Sequence, residues 1–212
     1  LGDNKKMSPF DRNSIYGMYN RTENYQSDCS YISQIKAFKD NVSIKSCLSY
    51  TFSVSNSQGA SLIKDRPFTA EMTRSIMLLK EKPYRPRMAD YRIGVFFTGR
   101  EQLGEGAKTT APVYYANRWD IQPSDTAAYL RGEKVKPTKQ IVFYIDNTFP
   151  EKWKPYLREG VTQWNELFEQ IGFKDVVAAK DFPTDDPEFD PDNIKYSCVR
   201  YAPSSIENAM GP

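Results

Sequence analysis

The sequence predicts an α+β chain whose N-terminal part is mainly antiparallel β and whose C-terminal part opens as strand–helix–strand–strand. Three observations carry that reading. YISQIKAF and VSIKSCLSYTFSV alternate apolar and polar residues on either side of Lys39-Asp40-Asn41, the pattern of a β-hairpin. The composition then shifts near Lys139, after the polar stretch RGEKVKPTK, which suggests a boundary between residues 1–138 and 139–212. Beyond it, the apolar run IVFYI feeds a segment with apolar residues at three- and four-residue steps.

In the first part, residues 1–28 are polar and turn-rich, and irregular structure or short edge strands are expected there. The hairpin follows over residues 31–55. With Asp40-Asn41 as a two-residue loop, Lys39 faces Val42, Gln34 faces Cys47, and Cys29 faces Phe52. That register keeps Cys29 and Cys47 apart and predicts buried free thiols rather than a disulfide. Asn56-Ser57-Gln58-Gly59 reads as a turn or mobile loop. FTAEMTRSIMLLK fits a helix through Met72, Ile76 and Leu79, or a strand through the alternation Phe68, Ala70, Met72, Arg74, Ile76 and Leu78. The strand is preferred, because the segment shows no cap and runs into Pro83 and Pro86. Tyr91 to Thr98 reads as a further strand, GREQLGEGAKTTAP as a loop over 99–112, and VYYANRWDI as a short strand.

In the second part, Ile141 to Asp146 is the first strand. Pro150 suits a first helical turn, with Asn147 or Thr148 as cap, and Pro155 delays the regular helix until Tyr156. Trp153, Leu157, Val161, Trp164, Phe168 and Ile171 then form one apolar face, with Gly160 on or near it to permit close approach to the sheet. Gly172 is the expected left-handed residue after the helix, with Phe173 folding back. KDVVAAKDF and YSCVRYAP read as the second and third strands. Strand–helix–strand implies a parallel, right-handed crossover.

Composition excludes some function classes. With 29 Lys+Arg against 27 Asp+Glu, the net charge of +2 gives no electrostatic case for nucleic acid or an anionic membrane. No apolar run approaches the roughly 20 residues that span a bilayer. LGDNKKMSPFDRNS has no signal-peptide core, so any targeting segment is expected upstream of Leu1 or already removed. The chain contains no histidine, which rules out Ser-His and Cys-His dyads within it. There is no GxSxG, Walker loop, GxGxxG or CxxC pair.

Four candidate features remain. The acidic stretch 181–193 carries Asp181, Asp185, Asp186, Glu188, Asp190 and Asp192 and offers calcium-type oxygen ligands. It lacks the EF-hand glycine and terminal glutamate, and three prolines stiffen it, so a solvated connection between strands is the preferred reading. Asp90, among Arg85, Arg87 and Arg92, is a candidate latch that would reach a catalytic metal elsewhere; its alternative is an ion pair fixing a loop. Asn20-Arg21-Thr22 and Asn41-Val42-Ser43 match glycosylation sequons. Tyr114, Tyr115 and Trp119 form an aromatic group that could hold peptide or glycan if it lies on the surface.

YISQIKAF, YRPRMADYRIGVFF, KQIVFYIDNTFPEKWKPYLREGVTQWNELFEQIGFKD and DPDNIKYSCVRYAPSSIENAMGP, in that order, resemble the large, metzincin-like bacterial zinc-dependent metallopeptidases. The resemblance spans most of residues 30–212 and is strongest from Gln140 onward. It implies an uncharacterised β-rich domain followed by the start of a catalytic domain. Ile141 to Asp146 would be the first strand of the catalytic sheet, 156–171 its backing helix, and Tyr196 to Ala202 the third strand, leading toward a substrate-binding edge strand. The family's zinc motif, HExxHxxGxxH, would follow downstream of Pro212, so no catalytic, cofactor-binding or metal residue is expected here, and this piece alone should be inert. The parent would bind zinc, cleave peptide or protein substrates, and work in the periplasm, at the cell surface or in secretion.

Two other classes compete with this reading: a stand-alone peptide- or glycan-binding β module, and a propeptide-like inhibitory domain acting through Asp90. If the catalytic sheet is incomplete, apolar surface should be uncovered near Ile141–Ile145 and Val199–Tyr201, along a sheet edge and a helix flank, or covered by self-association.

Overall fold

The computed structural model describes residues 19–81, 84–104 and 109–203. The chain divides into two units. The first comprises residues up to Leu78 together with Glu188–Lys195; the second comprises Leu79–Pro187 and the chain from Tyr196.

Three long strands make the first unit: β1 (Tyr19–Ala37), β2 (Asn41–Asn56) and β3 (Ser61–Met77), antiparallel in the order β1-β2-β3. Strand periodicity sorts β2 into an apolar face (Val42, Ile44, Leu48, Tyr50, Phe52, Val54) and a polar one (Asn41, Ser43, Lys45, Ser49, Thr51, Ser53). The neighbours match: Ile35 and Arg74 flank Ile44, and Tyr25 and Phe68 flank Tyr50. Tyr25 packs on Tyr50 at 5.5 Å, and Phe52 meets Phe68 edge-on at 6.5 Å. The preference for a strand over a helix at 68–80 is correct, and Gly59 supplies the left-handed residue of the β2–β3 turn, at φ +85°.

Two expectations about this sheet fail. First, β1 begins at Tyr19 rather than in the thirties, because the polar run Tyr19–Gln26 finds its partner in the distal half of β2, from Tyr19↔Asn56 to Gln26↔Ser49. Second, the hairpin loop is Lys39-Asp40. The Phe38 amide donates to the Asn41 carbonyl at 2.8 Å, so Ala37 faces Val42, Gln34 faces Lys45, and Tyr31 faces Cys47. Asn41 belongs to the strand because its side chain is fully engaged there, as described below. Residues 27–30 then bulge out of β1. The Ser49 amide donates to Ser30 Oγ (3.0 Å), and Ser49 Oγ donates to the Cys29 carbonyl (2.9 Å), so side chains replace the missing ladder bonds. All three cysteines are free, but Cys29 is exposed, and Cys47 and Cys198 are only half-buried.

The second unit opens with an antiparallel pair, β4 (Phe97–Leu103) and β5 (Thr110–Ala116). The strand expected at 91–98 therefore starts late and continues through much of the expected 99–112 loop. Asp90, Arg92 and Ile93 turn the chain just before it: the Ile93 amide donates to the Asp90 carbonyl, and the Val95 amide to that of Ile93. Gly99 lies opposite Tyr114, whose ring covers the site a Cβ would occupy at 3.5 Å. A short helix, α1 (Thr126–Leu130), follows; its signal, Asp125 accepting from the Ala128 amide at 2.9 Å, is an ordinary N-cap not anticipated above.

Next come β6 (Ile141–Ile145), α2 (Lys154–Thr162), α3 (Asn165–Gln170), β7 (Val177–Asp181) and β8 (Ser197–Val199). β6 is central, with β7 and β8 parallel to it on either side. The core is Ala128, Val135, Ile141, Phe173, Val176 and Val177, with Val161 and Phe168 packed against it from the helices.

The single helix expected over 156–171 is two. Thr162 Oγ1 donates back to the Arg158 carbonyl at 2.8 Å, which bends helices, and Asn165 turns inward to bind β7. Pro155 sits in the first turn without delaying it, and α2 has no side-chain cap: Asn147 Nδ2 instead donates to the Phe182 carbonyl. The apolar face is also narrower than expected. Trp164 and Ile171 are exposed, and Gly160 has open space where a Cβ would lie, so it permits no close approach. The C-terminal cap is as expected: Gly172 has φ +87°, its amide donates to the Glu169 carbonyl, and the buried Phe173 donates to Phe168.

Candidate functional site

In parallel sheets, ligands favour the carboxyl ends of strands where neighbouring connections diverge. β6 meets that condition, because the chain leaves it for β7 on one side and returns as β8 on the other. At its carboxyl end stands Asp146, a buried carboxylate. Its Oδ1 accepts from the Thr148 amide (2.9 Å) and hydroxyl (2.8 Å), and its Oδ2 from Arg200 Nε (3.3 Å). Burial by itself would raise the Asp146 carboxyl. The Thr148 bonds, the Tyr201 amide and the Arg200 charge outweigh burial and hold it below the usual range. Tyr201 packs between Phe149 (5.1 Å) and Trp153 (6.1 Å), and Cys198 lies one residue past the start of β8.

This group can orient a turn and bind; it is not equipped for acid–base or nucleophilic work. Asp146 stays ionised with its acceptors occupied. Burial pushes the Cys198 thiol up, only partly opposed by Arg200, so the thiol is not activated. Among the described residues, no group of three or more Cys, Asp or Glu side chains is placed to hold a metal ion. Sequence reasoning passed over Asp146 and Arg200. The visible signal was Asp146-Asn147-Thr148, a side-chain turn at the end of a strand.

The singled-out residues separate into different environments. Asp90 is held by Arg92 through Nε to Oδ1 (2.9 Å) and Nη2 to Oδ2 (2.5 Å), so the loop ion pair accounts for both oxygens. These Arg92 bonds hold the Asp90 carboxyl below its usual value. The acidic stretch does not converge: Asp181 binds Arg158 (2.6 and 2.8 Å), while Asp190 and Asp192 bind Lys36. Of the two sequons, Asn20 is exposed, whereas Asn41 is 3% exposed with its amide committed to hydrogen bonds. Tyr114 is 47% exposed and pairs edge-on with the exposed Phe97 at 5.1 Å; Trp119 is 53% exposed against Phe143; Tyr115 is half-buried.

The expected uncovered flank is present in part. Ile141 and Ile145 are buried, contrary to expectation, because β6 is central and helices cover it; β8 and Tyr201 are half-buried. The exposed apolar side chains lie along the helices instead, at Tyr156, Trp164, Leu167 and Ile171. No helix among the described residues is long and apolar enough to cross a membrane.

Fold and site together define a mixed, mainly β protein of two units, with a structured turn at the carboxyl end of β6. The chain belongs to the family described as domain of unknown function DUF5117, whose model matches residues 1–124. No curated protein and no solved structure matches it.

Proposed function

We propose that this chain is the non-catalytic part of a zinc-dependent metallopeptidase: a β-rich accessory region over residues 1–138 and the opening of a metzincin-like catalytic domain over 139–212. One observation carries the reading. β6 is followed by α2 and α3 and then by β7 and β8, both parallel to it, which fits the first strand, backing helix and third strand that the family resemblance implies for a catalytic sheet. β8 has no partner on its outer edge among the described residues, so further strands have a place to add. Zinc would be held by downstream histidines, since this chain has none, and would supply an activated water for peptide hydrolysis. Here Asp146 and Arg200 would fix the ends of β6 and β8, and so the line along which later strands pair. A peptide substrate would add to an edge strand beyond β8, in a periplasmic, cell-surface or secreted enzyme.

The test compares metal content and peptidase activity of this chain with those of the chain extended by a few hundred residues. One zinc and cleavage of an unstructured protein by the longer form alone are expected. Absence of both from the longer form overturns the reading.

The exposed Phe97–Tyr114 pair favours a second reading, a β module that holds peptide or glycan on aromatic faces. Titration with peptide and oligosaccharide libraries, followed by tryptophan fluorescence, should then saturate and be lost in Tyr114→Ala. No response from either library removes this reading.

A further inference from the structure

The β4–β5 pair has one edge in use and one edge open. On the β5 side, the Ala89 amide donates to the Tyr114 carbonyl (2.8 Å), the Ala116 amide donates to the Arg87 carbonyl (2.9 Å), and Met88 bridges Tyr115. Tyr114 and Ala116 therefore direct their main-chain groups away from β4. In the alternating ladder, Thr98, Arg100 and Gln102 then bond to β5, while Phe97, Gly99 and Glu101 turn N–H and C=O outward. No strand pairs with that outer edge among the described residues. At its centre, the Gly99 carbonyl accepts from the side chain of its own neighbour, Arg100 Nη1, at 3.3 Å.

The two faces of this edge differ. Val113 is buried on the face that carries Thr98 and Arg100. On the other face, Gly99 leaves a notch. Its floor is the Tyr114 ring, 3.5 Å from where a Cβ of residue 99 would lie, and its wall is Phe97, whose ring meets Tyr114 edge-on at 5.1 Å. Both rings are exposed. Arg100 is exposed too and has no carboxylate partner among the described residues. Side chains of a strand added here would fall alternately on the two faces. The residue opposite Gly99 would lay its side chain in the notch, and the adjacent residue, opposite Arg100, would meet the guanidinium.

We infer that the outer edge of β4 takes an extended peptide as an added strand, one with an aromatic side chain next to a carboxylate. The ring packs on Tyr114 over Gly99. The carboxylate pairs with Arg100, which is released when a peptide N–H takes its place at the Gly99 carbonyl. The inference rests on the second reading above and narrows its ligand to a peptide. A nucleic-acid strand fits less well, because Glu101 stands on the notch side and a phosphate backbone has no N–H row for the outward carbonyls.

Titration of the 212-residue chain with decapeptides tests it. A Thr-Val host carries Glu-Phe-Glu, Glu-Ala-Glu or Lys-Phe-Lys at its centre, and hydrogen exchange is read at the Gly99 and Glu101 amides. Glu-Phe-Glu should bind best and protect both amides. Gly99→Val fills the notch at an ordinary contact distance from Tyr114 and should weaken binding about tenfold or more. Arg100→Gln should weaken it roughly threefold. Binding without protection at Gly99 and Glu101, equal binding of all three peptides, or undiminished binding by Gly99→Val overturns the inference. Binding of oligonucleotides in place of peptides also overturns it. Oligosaccharide binding that is lost in Tyr114→Ala overturns it but leaves the second reading standing, whereas silence from both peptides and oligosaccharides removes both.

Discussion

The two three-stranded sheets are held together by different physics. The parallel sheet of the second unit rests on an apolar core, with Ile145 and Val176 wholly enclosed. Among the described residues of the first unit, the buried hydrophobic ones are Leu48 and Tyr50 on the central strand, alongside buried Asn41, Ser43 and Ser46. Its outer strands leave Ile35 and Ile76 about as exposed as surface residues, at 60% and 62%. Long antiparallel pairing, cross-strand rings and side-chain hydrogen bonds do there what packing does in the second unit. An apolar truncation in the core of the second unit should therefore damage it, one on an outer strand should spare the first unit, and a polar truncation on β2 should damage the first unit and spare the second.

The largest expected effect tests that contrast directly. Ile145→Ala should destabilise the second unit by about 2–5 kcal/mol, whereas Ile35→Ala should change the first by less than about 1 kcal/mol. Denaturant titration with exchange read separately over β6 and β2 measures both. Equal losses would mean that the exposed face of the first sheet is covered in solution. Gly172→Ala comes next, at about 1–3 kcal/mol, because φ is +87° and the added Cβ would meet Tyr129 Cε2 at 2.9 Å. Its effect should appear at Phe173 and α3 and leave β1–β3 untouched.

Legibility in the sequence follows the same division. Val42 to Val54 alternates except at Ser46-Cys47, so β2 is readable, and Gly172-Phe173 announces the end of the helix pair by local chemistry alone. What failed depended on distant partners. The run Tyr19–Gln26 looks like a loop until the distal half of β2 is placed beside it. The hairpin loop shifted by one residue because Asn41 is committed to Asp192 and Ile194, more than 150 positions away. The helix break at 163–164 likewise depends on Asn165, whose amide group accepts from the Val177 N–H and donates to its carbonyl. Asp146 was passed over because its neighbours Asn147 and Thr148 looked like caps for a helix that begins later.

At Asp146 the comparison becomes pH-dependent. Its folded pKa lies below its ordinary value, so its contribution is complete above the usual aspartate range, near about pH 4, and is lost as pH falls through the lower folded value. Asp146→Asn should weaken the second unit by about 1–2 kcal/mol near neutrality, and the gap from the parent should close in acid. Thermal unfolding at pH 7 and pH 3 measures it. A gap that persists unchanged at pH 3 would mean that shape, not charge, is what Asp146 supplies.

The smallest effect belongs to the Asp90–Arg92 pair, and its smallness is informative. The pair is bidentate, yet the Arg92 side chain is 73% exposed, so water and salt compete with it on every side. Arg92→Gln should leave the unfolding midpoints of both units unchanged and loosen only the turn that begins β4, seen as faster exchange at Ile93, whose amide binds the Asp90 carbonyl. The same variant separates the two readings of Asp90. As a loop ion pair, the released carboxylate alters nothing beyond that turn. As a latch, Asp90 would bind a metal, and Arg92 and the metal would compete for its carboxylate. In a longer, zinc-bearing form of the protein, Arg92→Gln would then slow peptide cleavage, and Asp90→Asn would restore it.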